Sequence, residues 1–474
     1  MSLKYKIPKE FKFRMHHIRP RFKNDIESVL IYMAESISRL PSMEKNLFMK
    51  EVNRLIKLYP GNATKKNKTI NNWRTEISSL FGLIEYNQDL TECRPSKMSC
   101  FLSEKQDLVE FFKYFLYYFQ YPGGHLKTHE TVKLINAGVR FKPAKYILSL
   151  LKTAEKEYGG RFGLKKEEVT HCIFNDLRVT RDGRPVKETL DIIMENRNTG
   201  KKYDSRGDTV RYAKDILDYM YIANLLTLHG DKYYLNLKEI EAIGAFIEKD
   251  IYFGDYDFLY GARDINARDI TSLQSKWFDY VNRELNIEIF STNLFKYLNI
   301  NEENYKSLEL LSLEDFHSKL EEGQTVKTKD IGDFGENLIH GHECRRIKLG
   351  GREDLIHLIK KIPNIFCVGY DIQSVELNEK KRYVEVKTTI SSEELKFKMF
   401  HLTSNEWNSA ETLQDAYFVY RLMVSKYKKK LFIIQNPVGK YKSNLVSMIP
   451  RNDGADIYFS DRSGVTEELL IWQS

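Results

Sequence analysis

Near the C-terminal end of the sequence, three residues of the types needed for phosphoryl chemistry fall close together: Asp371 in FCVGYDI, and Glu385 and Lys387 in RYVEVKT. The segments Phe366–Ile372 and Arg382–Thr388 read as strands joined by a polar turn near Leu377–Lys380, an arrangement expected to pair antiparallel. Side chains alternate along a strand, so Tyr383, Glu385 and Lys387 share one face while Val384 and Val386 fill the other. Inward valines would leave the glutamate and lysine presented together. If Asp371 ends the first strand opposite them, two carboxylates converge, and their repulsion calls for a cation. Oxygen-only donors favour Mg²⁺, with Mn²⁺ as a substitute, over zinc. Such an ion could polarise a phosphate oxygen and lower the pKa of a bound water, while Lys387 orients that water or stabilises developing charge. The chemistry expected is hydrolysis of a phosphodiester. The plain alternative is a salt-bridged surface hairpin.

Elements able to position these residues surround them. Ile331, Phe334, Leu338 and Ile339 make an apolar helical face before the strands. Thr403-Ser404-Asn405-Glu406 is a capping box opening a helix after them, and AYFVYRLM and KLFIIQ read as further strands. Asp371 followed by Glu385-x-Lys387, in GYDIQS and RYVEVKTT, resembles the PD-(D/E)XK nuclease superfamily, in its Mrr-like branch. That resemblance implies an αβββαβ core, with Asp371, Glu385 and Lys387 catalytic and products carrying 5′-phosphates. It also implies Asp371 and Glu385 as metal ligands, with the Val386 carbonyl as a further one. Gly335-Glu336 resembles the superfamily's Gly-Glu pair and makes Glu336 a candidate ligand, although at ~100° per residue it lies about 140° from Ile331, off the apolar stripe. His340-Gly341-His342-Glu343-Cys344 reads as a helix end with exposed imidazoles and not as a zinc site, since no second ligand pair follows.

The chain has 474 residues, 74 Lys+Arg against 66 Asp+Glu and 42% hydrophobic residues, which suffices for more than one core and rules out wholesale disorder. No stretch is apolar enough for a membrane helix, since even Phe111–Tyr121 contains Lys113 and stops at Pro122, so a soluble chain without a membrane partner is expected. The N-terminal MSLKYKIPKEFKFR has no apolar run followed by small residues, and the five cysteines are scattered without a CxxC pair. Both features fit a cytoplasmic protein with reduced thiols. A formal charge of +8 is small for this length, so where the positive charge sits matters more.

Residues 1–24 set eight basic residues against the single acid Glu10, with Phe11, Phe13 and Phe22 interleaved. This is the composition of a nucleic-acid-contacting arm or of a solvated leader. Helical spacing over 25–58, a basic loop, a short helix around Trp73–Leu80 and the strand-like FGLIEYNQDL follow in the order of a winged helix. The order returns where Val210, Ala213, Ile216, Leu217 and Met220 share a helical face before LLTLHGDKYYLN, a hairpin around His229–Lys232. Between them the aromatic run 111–121 reads as core. Lys426-Tyr427-Lys428-Lys429-Lys430 reads as a turn between strands or a contact to a phosphate backbone.

The segments FQYP, YILSLLK, GLKKEEV and the helix–wing unit ending in YYLN resemble the recognition region of type IIS restriction endonucleases of the FokI, BstNBI and BpuJI kind. The fold class expected is therefore α+β multidomain. Helical winged-helix DNA-binding domains (1–125 and 126–253) and a helical linker (254–325) would precede an α/β PD-(D/E)XK nuclease domain with a central mixed sheet (326–474). Candidate DNA contacts are Arg19, Arg21, Lys65, Lys66, Lys68, Lys165, Lys166, Arg206, Arg211 and Lys214. The resemblances imply a sequence-specific, Mg²⁺-dependent type II restriction endonuclease acting on double-stranded DNA, with a cognate DNA methyltransferase as genetic partner. One site cuts one strand, so a homodimer on DNA is expected. Two alternatives stay open: a modification-dependent nuclease sensing methylated DNA, and a DNA-binding regulator with an inactive nuclease fold.

Overall fold

The computed structural model describes residues 4–59, 61–123, 127–158, 162–291, 331–362, 368–391, 398–425 and 428–470. The acidic part of the expected linker, Phe366, Cys367, Lys426 and Tyr427 lie outside them. The chain forms two units, Met1–Glu104 with Leu108–Phe290, and Lys105–Asp107 with Ser291–Ser474. Among the described residues no helix is long and apolar enough to cross a membrane.

Within the first unit one order of elements occurs twice. Helix α1 (Ile26–Ser38), strand β1 (Met43–Glu44), helices α2 (Lys45–Leu58) and α3 (Asn67–Thr75), and strands β2 (Ile84–Tyr86) and β3 (Glu92–Pro95) form the first module, its sheet ordered β1-β3-β2. Helix α4 (Leu108–Tyr118) follows. The second module comprises helix α5 (Pro143–Tyr158), strand β4 (Gly163–Lys165), helices α6 (Lys166–Val169), α7 (Val186–Asn198) and α8 (Asp208–Ile222), and strands β5 (Leu226–His229) and β6 (Lys232–Leu235). Its sheet is ordered β4-β6-β5.

Local chemistry explains where these elements depart from the sequence reading. Helical spacing over 25–58 is interrupted around Pro41, which has no N–H to donate, and the gap supplies β1. Glu44 then restarts the helix by accepting the Asn46 and Leu47 N–H groups at 3.0 and 3.2 Å. GLKKEEV opens with β4, because Gly163–Lys165 pairs with β6, and turns helical only from Lys166. The β5–β6 hairpin forms as expected, with Gly230 supplying φ +62° at its two-residue turn. Helix α4 is buried along its whole length, and Phe112 and Phe115 pack against both Phe81 and Tyr219. The aromatic run is the core shared by the two modules.

The basic leader is not a free arm. Its Tyr5 and Phe13 N–H groups donate to the Lys202 and Asn175 carbonyls, each at 3.0 Å, and Met15, His17 and Phe22 are buried. Apolar residues interleaved with the basic ones bind it to the unit. Residues 254–290, expected as linker, also fold into the first unit, where Trp277, Phe278 and Tyr280 are buried.

In the second unit, helix α9 (Ile331–Leu349) leads to strands β7 (Lys360–Lys361), β8 (Ile372–Val375), β9 (Lys381–Ser391) and β10 (Met399–Thr403). Helix α10 (Ser404–Leu413), strands β11 (Tyr417–Ser425) and β12 (Lys429–Gln435), and helix α11 (Pro437–Lys442) come next. Strands β13 (Val446–Arg451), β14 (Gly454–Phe459) and β15 (Val465–Glu467) complete it. The main sheet is mixed, ordered β15-β12-β11-β9-β8-β7, and β9–β11 is its parallel pair. Parallel neighbours need a crossover, which β10 and α10 provide. Strands β10, β14 and β13 make a second, antiparallel sheet whose Phe400, Leu402 and Ile457 share a core with Tyr417, Val419 and Ile434.

Both faces of β9 are covered. On one, Gly335 of α9 lies so close to Thr388 that a Cβ there would collide with it; Val384 and Val386 share that face. On the other, Glu385 and Lys387 lie beneath α10. Glu385 and Lys387 thus share one strand face as expected, but under a helix, and Glu385 is 3% exposed. The helix end expected at His340–Cys344 is instead the middle of α9, with His342, Glu343 and Cys344 buried.

Candidate active site

Asp371 stands one residue before β8, not at the end of a strand over 366–372. The approach to it is bent, because Gly369 takes φ +76° and packs against Asn405 and Ser409 of α10, leaving no room for a side chain. Tyr417 donates to the Gly369 carbonyl at 2.9 Å and Ser409 to the Val368 carbonyl at 2.8 Å. The Asp371 N–H donates to the Val384 carbonyl at 2.9 Å and its own carbonyl accepts from Ile362 at 2.7 Å. Residue pairing between β8 and β9 begins at Ile372 and Val384, and beyond that point the Asp371 carboxylate takes over, accepting the Val386 N–H at 2.8 Å. In an extended strand the N–H and C=O of one residue point to the same side. The Val386 carbonyl therefore faces the same edge as the Asp371 carboxylate.

Strand alternation brings Glu385 and Lys387 together, and the Lys387 Nζ lies 2.6 Å from Glu385 Oε1. A third carboxylate joins them. Glu406, in the first turn of α10, places Oε2 2.9 Å from the same ammonium. The capping box that fixes Glu406 is complete, with its carboxylate accepting the Thr403 N–H at 2.9 Å and its own N–H donating to Thr403 Oγ1 at 3.3 Å.

Burial pushes the Glu385 carboxyl well above its ordinary value; Asp371 and Glu406 push the same way and Lys387 opposes them. Burial likewise raises Asp371, against the pull of Lys387 and the Val386 N–H. Burial works against the Lys387 ammonium, but Glu385, Glu406 and Asp371 outweigh it and hold its pKa above the ordinary lysine value. For Glu406 burial is outweighed by Lys387 and the Thr403 N–H, so its pKa is lowered. The result is a buried, acid-rich site with one charged donor, 23% exposed along its side chain.

The structure thus brings together Asp371, Glu385, Lys387 and the Val386 main chain. It buries Glu336 despite its place off the expected apolar stripe, because α9 is covered more broadly than Ile331, Phe334, Leu338 and Ile339 alone imply. Glu336 is held by Lys361 of β7 at 3.2 Å. Lys361 also acts electrostatically on Asp371. Among the described residues no group of three or more His, Cys, Asp or Glu side chains is arranged to hold a metal ion. The donors that do converge, two mutually repelling carboxylates and a main-chain carbonyl, are hard oxygens suited to Mg²⁺ or Mn²⁺. Glu406 and Lys361 escaped the sequence reading. The capping box at Thr403–Glu406, which follows the Glu-x-Lys strand after the intervening β10, was the available signal for Glu406, since it fixes a carboxylate at a helix terminus.

The expected DNA contacts divide into two groups. Arg19 lies 2.7 Å from the buried Asp215, Lys214 lies 2.7 Å from Asp218, and Lys165 lies 2.8 Å from Asp231. Arg21, Lys166 and Arg211 have looser partners in Glu76, Glu167 and Asp208, at 4.0, 3.8 and 3.5 Å. Lys65, Lys66 and Lys68, at the start of α3, and Arg206 are exposed and make no ion pair among the described residues.

The two-module first unit and the mixed-sheet second unit have separate relatives. Residues 5–278 match the family model described as restriction endonuclease BpuJI, N terminal, and with more than half its length matched the chain belongs to that family. Residues 336–434, which contain Asp371, Glu385, Lys387 and Glu406, match the model described as Protein NO VEIN, C-terminal; this, and not an Mrr-like model, is the match found for the second unit. Among solved structures, the chain is similar to the BpuJ1 endonuclease binding domain in complex with pyrene- and phenanthrene-modified DNA. They share 24% identity over 58% of this chain and 100% of that one, with a TM-score of 0.51, a likeness of fold. No curated protein matches the chain.

Proposed function

We propose that the chain is a sequence-specific DNA endonuclease in which the family region, residues 5–278, binds duplex DNA and the second unit hydrolyses a phosphodiester bond. The observation that carries this reading is the gathering of Asp371, Glu385 and Lys387 in one buried site where the β8–β9 pairing ends. The element order α9-β7-β8-β9-β10-α10-β11, with β10 in the second sheet and β9 parallel to β11, supports a PD-(D/E)XK core. The twice-used order of helices and strands supports two winged-helix modules, and the solved relative bound to modified DNA supports DNA as the partner. Among the candidate contacts, Lys65, Lys66, Lys68 and Arg206 are the exposed side chains without an ion pair among the described residues, available to meet phosphates.

Asp371, Glu385 and the Val386 carbonyl would hold Mg²⁺ or Mn²⁺; Glu336 joins them only if its ion pair with Lys361 opens. A bound divalent ion would polarise the scissile phosphate and acidify a water. Lys387 stays charged among its carboxylates, so it donates to that water or to the developing negative charge. The Val386 N–H keeps the Asp371 carboxylate aimed at the strand edge. Ends with 5′-phosphate would result, two copies would meet on DNA to cut both strands, and a methyltransferase would protect the host's own sites. Incubating the full chain with unmethylated and methylated plasmid, in Mg²⁺ or EDTA, tests this. Fixed fragments from unmethylated plasmid in Mg²⁺ alone are expected. Cutting confined to methylated plasmid makes the chain modification-dependent, and binding without cutting under every condition overturns the nuclease reading.

A further inference from the structure

Lys387 is held from two sides, and the two holders differ. Glu385, on its own strand, is a carboxylate that the nuclease reading assigns to the divalent ion, and an oxygen engaged by that ion cannot hold the ammonium equally well. Glu406 comes from another element and, although its carboxylate also shares a hydrogen bond with Glu385, it has holders of its own away from the ion. Its carboxylate accepts the Thr403 N–H, its own N–H is bound by Thr403 Oγ1, and it lies in the first turn of a ten-residue helix, where the backbone favours negative charge. Its Oε2 is 2.9 Å from the Lys387 Nζ, and its side chain is 16% exposed.

We propose that Glu406 is the positioning residue of the site, keeping the Lys387 ammonium in place when Glu385 turns to the divalent ion. The inference rests on the nuclease reading above. Glu406 touches neither substrate nor ion in this role and acts only through the lysine.

Single-turnover plasmid cleavage by the full chain at saturating Mg²⁺ tests it, comparing Glu406→Gln, Lys387→Ala and the double variant with the parent. Glutamine retains an acceptor for the Thr403 N–H and so spares the helix start. Glu406→Gln is expected to slow cleavage roughly 10- to 100-fold, the usual range for residues that act through a site residue. DNA binding and the Mg²⁺ concentration giving half the maximal rate should stay within about twofold, and the loss should vanish in the Lys387→Ala background. A loss that multiplies in the double variant overturns the proposal, as does one that extra Mg²⁺ restores, which would make Glu406 a metal ligand. A parent chain that cuts nothing defeats the nuclease reading, and the melting temperatures of the same four proteins then decide the positioning role. Glu406→Gln should lower the melting temperature of the parent and not that of Lys387→Ala; equal lowering in both overturns it.

Discussion

Two glutamates lie buried on opposite faces of the main sheet of the second unit, and their surroundings differ in kind. Glu343, on α9, accepts from Tyr420 at 2.7 Å, from Ser374 at 2.6 Å and from Arg346 at 2.7 and 3.1 Å, with Arg382 3.6 Å away. Burial alone would raise its pKa, yet Arg346 and Arg382 hold the carboxyl down to about 2. Glu385, beneath α10, has Lys387 as its cation and two further carboxylates against it, and its pKa goes the other way. Burial therefore does not by itself mark a site. A carboxylate surrounded by donors is architecture, whereas one left among its own kind has a reason to bind something positive.

Glu343→Gln should break this contrast most severely. It removes the buried charge that Arg346 and Arg382 share and leaves Glu376 as their remaining carboxylate, and chemical unfolding is expected to report a loss of about 3 kcal/mol. Lys387→Ala comes next and tests the other face: cleavage should fall roughly 100- to 1,000-fold while DNA binding, read by gel shift, stays within a few-fold. Glu385→Gln should abolish cutting yet change stability by no more than about 1 kcal/mol, since burial already disfavours its charge. The two glutamates should also give stability opposite slopes with pH. A carboxyl lowered on folding contributes stability above its unfolded pKa that is lost as pH falls, and one raised on folding contributes below its folded pKa and loses it as pH rises. Glu343→Gln should flatten the loss of stability as pH falls from the ordinary 4.5 toward about 2, and Glu385→Gln the loss as pH rises above 4.5. Unfolding curves collected across pH check both.

The smallest effect extends the contrast between matched and unmatched charge to the first unit. Lys66→Ala should weaken DNA binding similarly for all sequences and reduce the salt slope by about 1, whereas Lys214→Ala should do less because Asp218 already neutralises it. Equal slopes for the two variants would remove Asp218 from the explanation.

Local patterns were legible and shared surroundings were not. The alternation in RYVEVKTT, the capping box at Thr403–Glu406, strands β11 and β12 and the β5–β6 hairpin all depend on neighbours in the chain, and the structure has them. The start of β8 was misplaced because the bend at Gly369 answers to α10, which lies far along the sequence. Glu336 looked peripheral on a helical wheel, His342 and Glu343 looked like a helix end, and all three are buried because α9 is enclosed on more than one side. Arg19 and Lys214 looked like free charge because Asp215 and Asp218, on the same helix as Lys214, could equally have faced solvent. For the site itself, Asp371, Glu385 and Lys387 were visible from type and alternation, while Glu406 was visible only as a cap.

Asp371 serves as an acid and also as the last rung of a ladder, its side chain standing in for a main-chain oxygen opposite Val386. The two duties separate under substitution. Asparagine keeps an acceptor for that rung and gives up the charge, while alanine removes both and lets the strand edge fray. An Asp371→Asn chain would therefore be a decoy, shaped to grip its target and unable to cut it, and so suited to trapping the complex with intact DNA.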